Sequence, residues 1–260
     1  MVFQCQNIYS NEGLQDAKHE IEGLYVPSFE TIPRFIPQEV IFEIIAGFRS
    51  DLLFLQQPMK NFDPSKLLIQ TEEDLLLYTR RILGYPIVTL IYGAWDADGL
   101  LDSEKGLIQN SKDPVPESKS QEWILDRAID IGIAAQLIDM AKDLMRDSHE
   151  GRVYIPVSWF QTPEEKAFLI ALYHGTVDSR MLAMVSKYSA HLARMADDYY
   201  KRGLPLFDHI PGDFAFPLKL FCEVYMTSRF DTWRWKGGRV ERVRTSNWYR
   251  IWTGLKAMRK

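Results

Sequence analysis

Residues 136–156 read QLIDMAKDLMRDSHEGRVYIP and decide how this chain is understood. Asp139, Asp143 and Asp147 recur at a spacing of four, and a Gly-Arg-x-Tyr-x-Pro exit follows them. On a helix each residue advances about 100°, so the three carboxylates stack on successive turns of one face, about 6 Å apart along the axis. Like charges so close repel unless cations sit among them. Hard oxygen ligands on a rigid helix suit Mg²⁺, which keeps several waters and shares the phosphate oxygens of a substrate. The stretch therefore predicts a magnesium-bound diphosphate, against the plainer alternative of a solvated acidic face. The neighbours favour the ligand reading. Gly132 and Gln136 share the aspartate side, with Ala135 at its edge, and such small residues leave room for a ligand. Ile129, Ile133, Leu137, Met140 and Leu144 on the other side anchor the helix in a core.

Outward from this helix the pattern stays helical. Candidate helices cover about 37–56, 71–95, 119–148, 162–174, 175–203, 214–230 and 245–258. Thr71 before Glu72-Glu73-Asp74 and Thr162 before Pro163-Glu164-Glu165 place a cap, then acids, at two helix starts. Residues 96–117 read as a surface loop, and Asp96, Asp98 and Asp102 within it suit neither one helical face nor an EF-hand. The longest apolar run, residues 82–95, contains Pro86 and falls short of the roughly 20 residues that cross a bilayer, so it predicts a buried helix kinked or broken at the proline. No strand alternation with hairpin turns, internal repeat or linker is expected, which leaves one domain over 1–260. His174, His191 and His209 have no ligand-spaced partner and read as structural or surface residues.

Composition sets the outer limits. At 46% hydrophobic and 25% charged the chain has the make-up of a globular protein rather than a disordered one. Cys5 and Cys222 lie far apart and imply no disulfide framework, and the N-terminus carries no secretory signal pattern. Both point to an intracellular protein, cytoplasmic or peripherally attached to a membrane. Residues 229–260 hold ten Lys or Arg against Asp231 and Glu241, a net charge of +8 in a chain of −4, with Trp233, Trp235, Trp248 and Trp252 among them. Basic residues interleaved with tryptophan suit an anionic membrane surface. A nucleic acid partner is not expected, because the rest of the chain is acidic and no reading motif accompanies the tail. The alternative is a packed terminal helix pair with snorkelling arginines.

The quoted stretch resembles the second aspartate-rich motif of the squalene and phytoene synthases, the head-to-head prenyl synthases, and most closely the phytoene synthase domain of fungi. That motif reads Q-x-x-N-x-x-R-D-x-x-x-D, a short turn, then G-R-x-Y-x-P. Gln136, Asp143, Asp147, Gly151, Arg152, Tyr154 and Pro156 occupy those places, while Asp139 stands for the Asn and Lys142 for the Arg. Residues 42–51, with Gly47 and Asp51, and residues 71–92, with Tyr78 and Gly84, resemble two upstream family segments. Tyr200, Gly203 and the GGRVERVRTSNWYRIW tail resemble the closing helices.

The resemblance implies an all-α, isoprenoid synthase-type helical bundle, incomplete at the N-terminus. It implies Mg²⁺, with Mn²⁺ as a substitute, held by Asp139, Asp143 and Asp147. Asp143, Asp147 and Tyr154 are the implied catalytic residues, and Gln136, Lys142, Arg146 and Arg152 the implied diphosphate-binding ones. The implied reaction joins two prenyl diphosphates head to head, geranylgeranyl diphosphate to phytoene first among them. A terpene cyclase and a non-catalytic assembly protein are the alternatives. The family's first motif, Asp-x-x-x-Asp, has no counterpart in residues 1–39, so this chain alone is expected to turn over prenyl diphosphates slowly or not at all, even if it binds them. Glu43, Asp51, Glu72 and Asp96 are the carboxylates to examine for its replacement.

Overall fold

The computed structural model describes residues 36–55, 62–101 and 120–257. The expected absence of a first aspartate motif, and most of the expected loop over 96–117, lie outside the described residues. So does part of the single-domain expectation. The described residues all fall within one unit, Phe35–Lys260.

Helix α1 (Gln38–Leu55) is followed by α2 (Glu72–Thr79), a π-helical turn at Arg80–Gly84, and α3 (Tyr85–Ala97). Thr71 and Asp74 form a reciprocal capping box at the start of α2, as the acid-rich first turn predicts. The apolar run is interrupted where expected. Pro86 sits in the first turn of α3, where its missing N–H costs nothing, and the π turn supplies the break.

The aspartates lie on α4 (Gln121–His149), which Ser120 caps by accepting from the Trp123 N–H at 3.2 Å. Its most extensive packing is against α6 (Leu182–Gly203). Leu137, Ile138, Ala134 and Leu192 are fully buried in this core. Gly132 takes part in a different way from that expected. A Cβ there would lie 2.4 Å from the Leu83 carbonyl oxygen and 2.5 Å from the Gly84 Cα, so the small residue admits the π turn, not a ligand.

Helix α5 (Pro163–Tyr173) begins with the Thr162–Glu165 capping box and Pro163 at its first position. The next helix starts later than expected, at Leu182, because Gly175 takes a left-handed φ and Asp178 caps a 3₁₀ turn at Ser179–Met181 first. Helix α7 (Gly212–Met226) then leads to a β-hairpin that the sequence reading excluded. Strands β1 (Thr232–Lys236) and β2 (Arg239–Val243) pair antiparallel, and Gly237 and Gly238, both at positive φ, form the two-residue turn. That is the loop length and chirality a tight hairpin requires. Helix α8 (Asn247–Ala257) follows. The tail is therefore a hairpin and a helix, not a helix pair.

No described helix is long and apolar enough to cross a membrane. His191 packs on Trp159 and His209 on Trp123, whereas His174 is an exposed residue beside Tyr173.

Candidate active site

The end of α4 is built so that the chain doubles back beside the aspartates. Gly151 takes a φ of +71°, the Arg152 N–H donates to the Asp147 carbonyl at 2.8 Å, and the Gly151 N–H donates to that of Ser148 at 3.0 Å. This pair of bonds is a Schellman closure, and it explains the Gly-Arg-x-Tyr exit physically. The turn carries Arg152 and Tyr154 back towards the last turn of α4.

The three aspartates become progressively more enclosed along the helix, with side chains 33%, 15% and 9% exposed at Asp139, Asp143 and Asp147. Each meets cations. Asp139 accepts from the Tyr225 hydroxyl and pairs with Lys142, whose amine also donates to the Tyr225 oxygen at 2.7 Å. Burial, then the bond to Asp139, pushes the Tyr225 phenol up. Asp143 pairs with Arg146 at 2.8 Å and lies 3.7 Å from Arg242 of β2. Arg146 also reaches Asp147, at 3.9 Å.

Asp147 is the strained member. Burial pushes its carboxyl up to about 6, Arg146 and Arg152 pull it down, and Asp143 and Asp139 push it up. A folded pKa raised from 3.8 means that neutral Asp147 favours the fold. Its contribution is full below the unfolded pKa and is lost as pH rises through about 6. In metal-free buffer, the unfolding free energy from denaturant titrations is therefore expected to fall between pH 4 and pH 7, by about 2–3 kcal/mol for this group. Asp147→Asn should abolish that component and be the more stable protein at pH 7. Parallel pH dependences in the two proteins would refute the assignment.

Three residues outside the aspartate stretch, Asp51, Phe54 and Tyr78, complete a second side of the site. Tyr78 of α2 donates its hydroxyl to Asp51 of α1, and its ring packs on Tyr154 at 5.4 Å. Phe54 meets Tyr154 edge-on at 4.7 Å. Arg152 approaches the Tyr154 hydroxyl at 3.5 Å and pairs with Glu150. A continuous path thus runs from Asp51 through Tyr78 and Tyr154 to Arg152 and Asp147. The matched glycines serve the packing behind it: a Cβ at Gly47 would touch the Arg81 backbone at 3.0 Å, and one at Gly84 would lie 3.3 Å from the Ile129 side chain.

Of the site residues expected from sequence, Asp139, Lys142, Asp143, Arg146, Asp147, Arg152 and Tyr154 form one linked network, and Gln136 is half-buried one turn before Asp139. Among the four carboxylates considered as replacements, Asp51 joins the site, whereas Glu43 holds Arg81 at 2.6 Å. Glu72 lies in the first turn of α2 and Asp96 near the end of α3. Tyr225 and Arg242 were missed. Arg242 is itself held by Asp231, at 3.5 Å, which also accepts from the Thr245 N–H at 2.6 Å.

The squalene/phytoene synthase family model matches residues 4–229. The chain belongs to this family. Among its relatives are the bifunctional lycopene cyclase/phytoene synthases of Phaffia rhodozyma, 24% identical over 83% of this chain and 34% of that protein, and of Pyrenophora tritici-repentis (strain Pt-1C-BFP), 25% identical over 85% and 34%. The 15-cis-phytoene synthase of Pantoea ananas is 34% identical over a shorter span, 32% of this chain and 26% of that protein. The chain spans about a third of the length of the fungal relatives. A crystal structure of a dehydrosqualene synthase in complex with ligand superposes with a TM-score of 0.53 at 16% identity, covering 89% of this chain and 67% of that one. The all-α isoprenoid synthase fold expected from the sequence is the fold observed.

Proposed function

We propose that this member of a prenyltransferase family condenses two prenyl diphosphates head to head, with geranylgeranyl diphosphate to phytoene as the reaction it serves. What carries the reading is the convergence of the aspartate ladder with the Arg152–Tyr154 exit and the Asp51–Tyr78 pair at one end of α4.

The donor chemistry fits a hard divalent cation. All three ladder side chains offer only oxygen, and Asp147 is pushed up first by burial and to a lesser degree by Asp143 and Asp139, a cost that a cation would offset. Among the described residues no three His, Cys, Asp or Glu side chains close into a metal cage. Mg²⁺ at an enzyme's phosphate site is commonly held by one or two carboxylates together with substrate phosphates, so a dedicated cage is not needed. Asp139, Asp143 and Asp147 would hold Mg²⁺, which supplies Lewis-acid withdrawal of charge from the departing diphosphate.

The chain's own cations share that task. Lys142, Arg146, Arg152 and Arg242 surround the ladder and would exchange carboxylate partners for phosphate oxygens as the diphosphate leaves. Tyr154, flanked by Phe54 and Tyr78, walls the site with aromatic surface that shields the allylic cation from water. The second substrate's double bond would attack that cation, the new carbocation losing a proton, and the second diphosphate would then leave, a further proton loss giving phytoene.

Incubation with geranylgeranyl diphosphate and Mg²⁺, followed by extraction of hydrocarbons, is expected to yield phytoene, and EDTA should abolish it. A cyclised product of a single substrate, or no product together with no Mg²⁺-dependent binding of any prenyl diphosphate, would overturn the reading.

A further inference from the structure

The tail's tryptophans are not all core residues. Trp233 packs against the second hydrophobic cluster, but Trp248 and Trp252 of α8 are 78% and 56% exposed. Gly254 turns the opposite side of α8 onto α7, where a Cβ would meet Val224 at 3.4 Å and Leu220 at 3.5 Å. Trp248, Ile251, Trp252 and Leu255 then form an exposed apolar stripe at helical spacing, with nothing polar between its members. Phe230 meets Tyr249 of the same helix edge-on at 5.7 Å and is itself exposed.

Charge says what covers this stripe. Arg234, Lys236, Arg239, Arg244 and Lys256 are exposed on the hairpin and on α8, within the segment that carries +8. A second exposed apolar stripe, Phe42, Ile45, Phe48 and Leu52 on α1, lacks this complement, since Glu39, Glu43 and Asp51 outnumber Arg49 there. An amphipathic helix with aromatic and aliphatic residues on one side and basic residues beside it matches an anionic bilayer interface. Acidic protein partners would use the charges but leave two tryptophans in water.

Helix α7, against which α8 packs, also reaches the site. Phe221 of α7, 60% exposed, stacks on Tyr225 with ring centroids 5.4 Å apart, and the Tyr225 hydroxyl is the donor to Asp139. We propose that the exposed face of α8, with Phe221 and the basic hairpin, is a docking surface for anionic membranes, and that it sets the aspartate ladder beside the bilayer. The second half of this statement rests on the prenyl diphosphate reading, since only a lipid substrate gains from that placement.

The test is co-sedimentation of the full chain with phosphatidylcholine vesicles, with and without phosphatidylserine, at low and high salt. Binding is expected only to the anionic vesicles, to weaken with salt, and to shift tryptophan emission to the blue. Trp248→Ser with Trp252→Ser should lower the partition coefficient at least about tenfold. Arg244→Glu with Lys256→Glu should lower it further, because each basic residue near such a surface contributes about fivefold. All four positions are exposed, so circular dichroism should be unchanged. Wild-type protein that ignores anionic vesicles, or variants that bind as well as wild type, would overturn the proposal. Concentration-dependent dimerisation that the serine variants lose would assign the stripe to a second copy instead. Vesicle binding is read without turnover, so loss of the prenyltransferase reading would leave the docking result standing, and the reverse.

Discussion

Replacing Gly132 with alanine is expected to destabilise the protein by roughly 3 kcal/mol or more, among the larger effects of any single methyl group in this fold. The added carbon would meet the Leu83 carbonyl oxygen at 2.4 Å, the Gly84 Cα at 2.5 Å and the Gly84 nitrogen at 2.6 Å. These are backbone atoms, and no rotamer change relieves them. Helix α4 would have to move off the π turn at Arg80–Gly84, and Ile129, Ile131 and Ile133 would lose packing with it. Gly93→Ala is the control, because nothing lies within 4 Å of its Cβ position, and there alanine should be neutral or slightly stabilising through helix propensity. Urea denaturation of both variants measures the difference. A Gly132→Ala midpoint equal to wild type would mean that the close approach of α4 to the π turn is not part of the native fold.

Gly132 also marks where the sequence could and could not be read. Its position on the aspartate side was visible from helical phase, but a small residue looks the same whether it admits a ligand or another backbone. The ladder and its exit were legible because both are local. The spacing of four puts Asp139, Asp143 and Asp147 on one face, and Gly151 with Arg152 closes the helix through hydrogen bonds that span only a few residues. Helix starts at Thr71 and Thr162 were legible for the same reason, each cap reaching three residues along the chain.

Tyr225 and Arg242 carried no such signal. Tyr225 bonds to Asp139 across 86 residues of sequence, and Arg242 donates to the Lys142 carbonyl across 100. Only the fold brings them together. The hairpin is a different case, because its signal was present: TWRWK alternates, and Gly237-Gly238 follows it as a two-residue turn. The resemblance of this segment to closing helices, and its charge, drew the reading away from that alternation.

The second large effect is expected at Asp143. It is the middle carboxylate of the ladder, with Asp139 one turn before it and Asp147 one turn after, so a cation bound anywhere along this face feels its charge. Asparagine preserves its size and one oxygen while removing that charge, and Asp231 remains to hold Arg242. The metal-free fold should therefore survive. Affinity for a non-hydrolysable prenyl diphosphate in the presence of Mg²⁺ is expected to fall about 100-fold, or about 2.8 kcal/mol. Without Mg²⁺ the wild type and Asp143→Asn should differ far less, and in the opposite sense, because removing a negative charge then favours an anionic ligand. That inversion separates a metal site from a solvated acidic face, on which asparagine would change neither measurement. Titration calorimetry of both proteins, with Mg²⁺ and with EDTA, reads the two quantities directly. Equal affinity of wild type and variant under both conditions would remove the ladder from the diphosphate site and leave its binding to the cations Lys142, Arg146, Arg152 and Arg242.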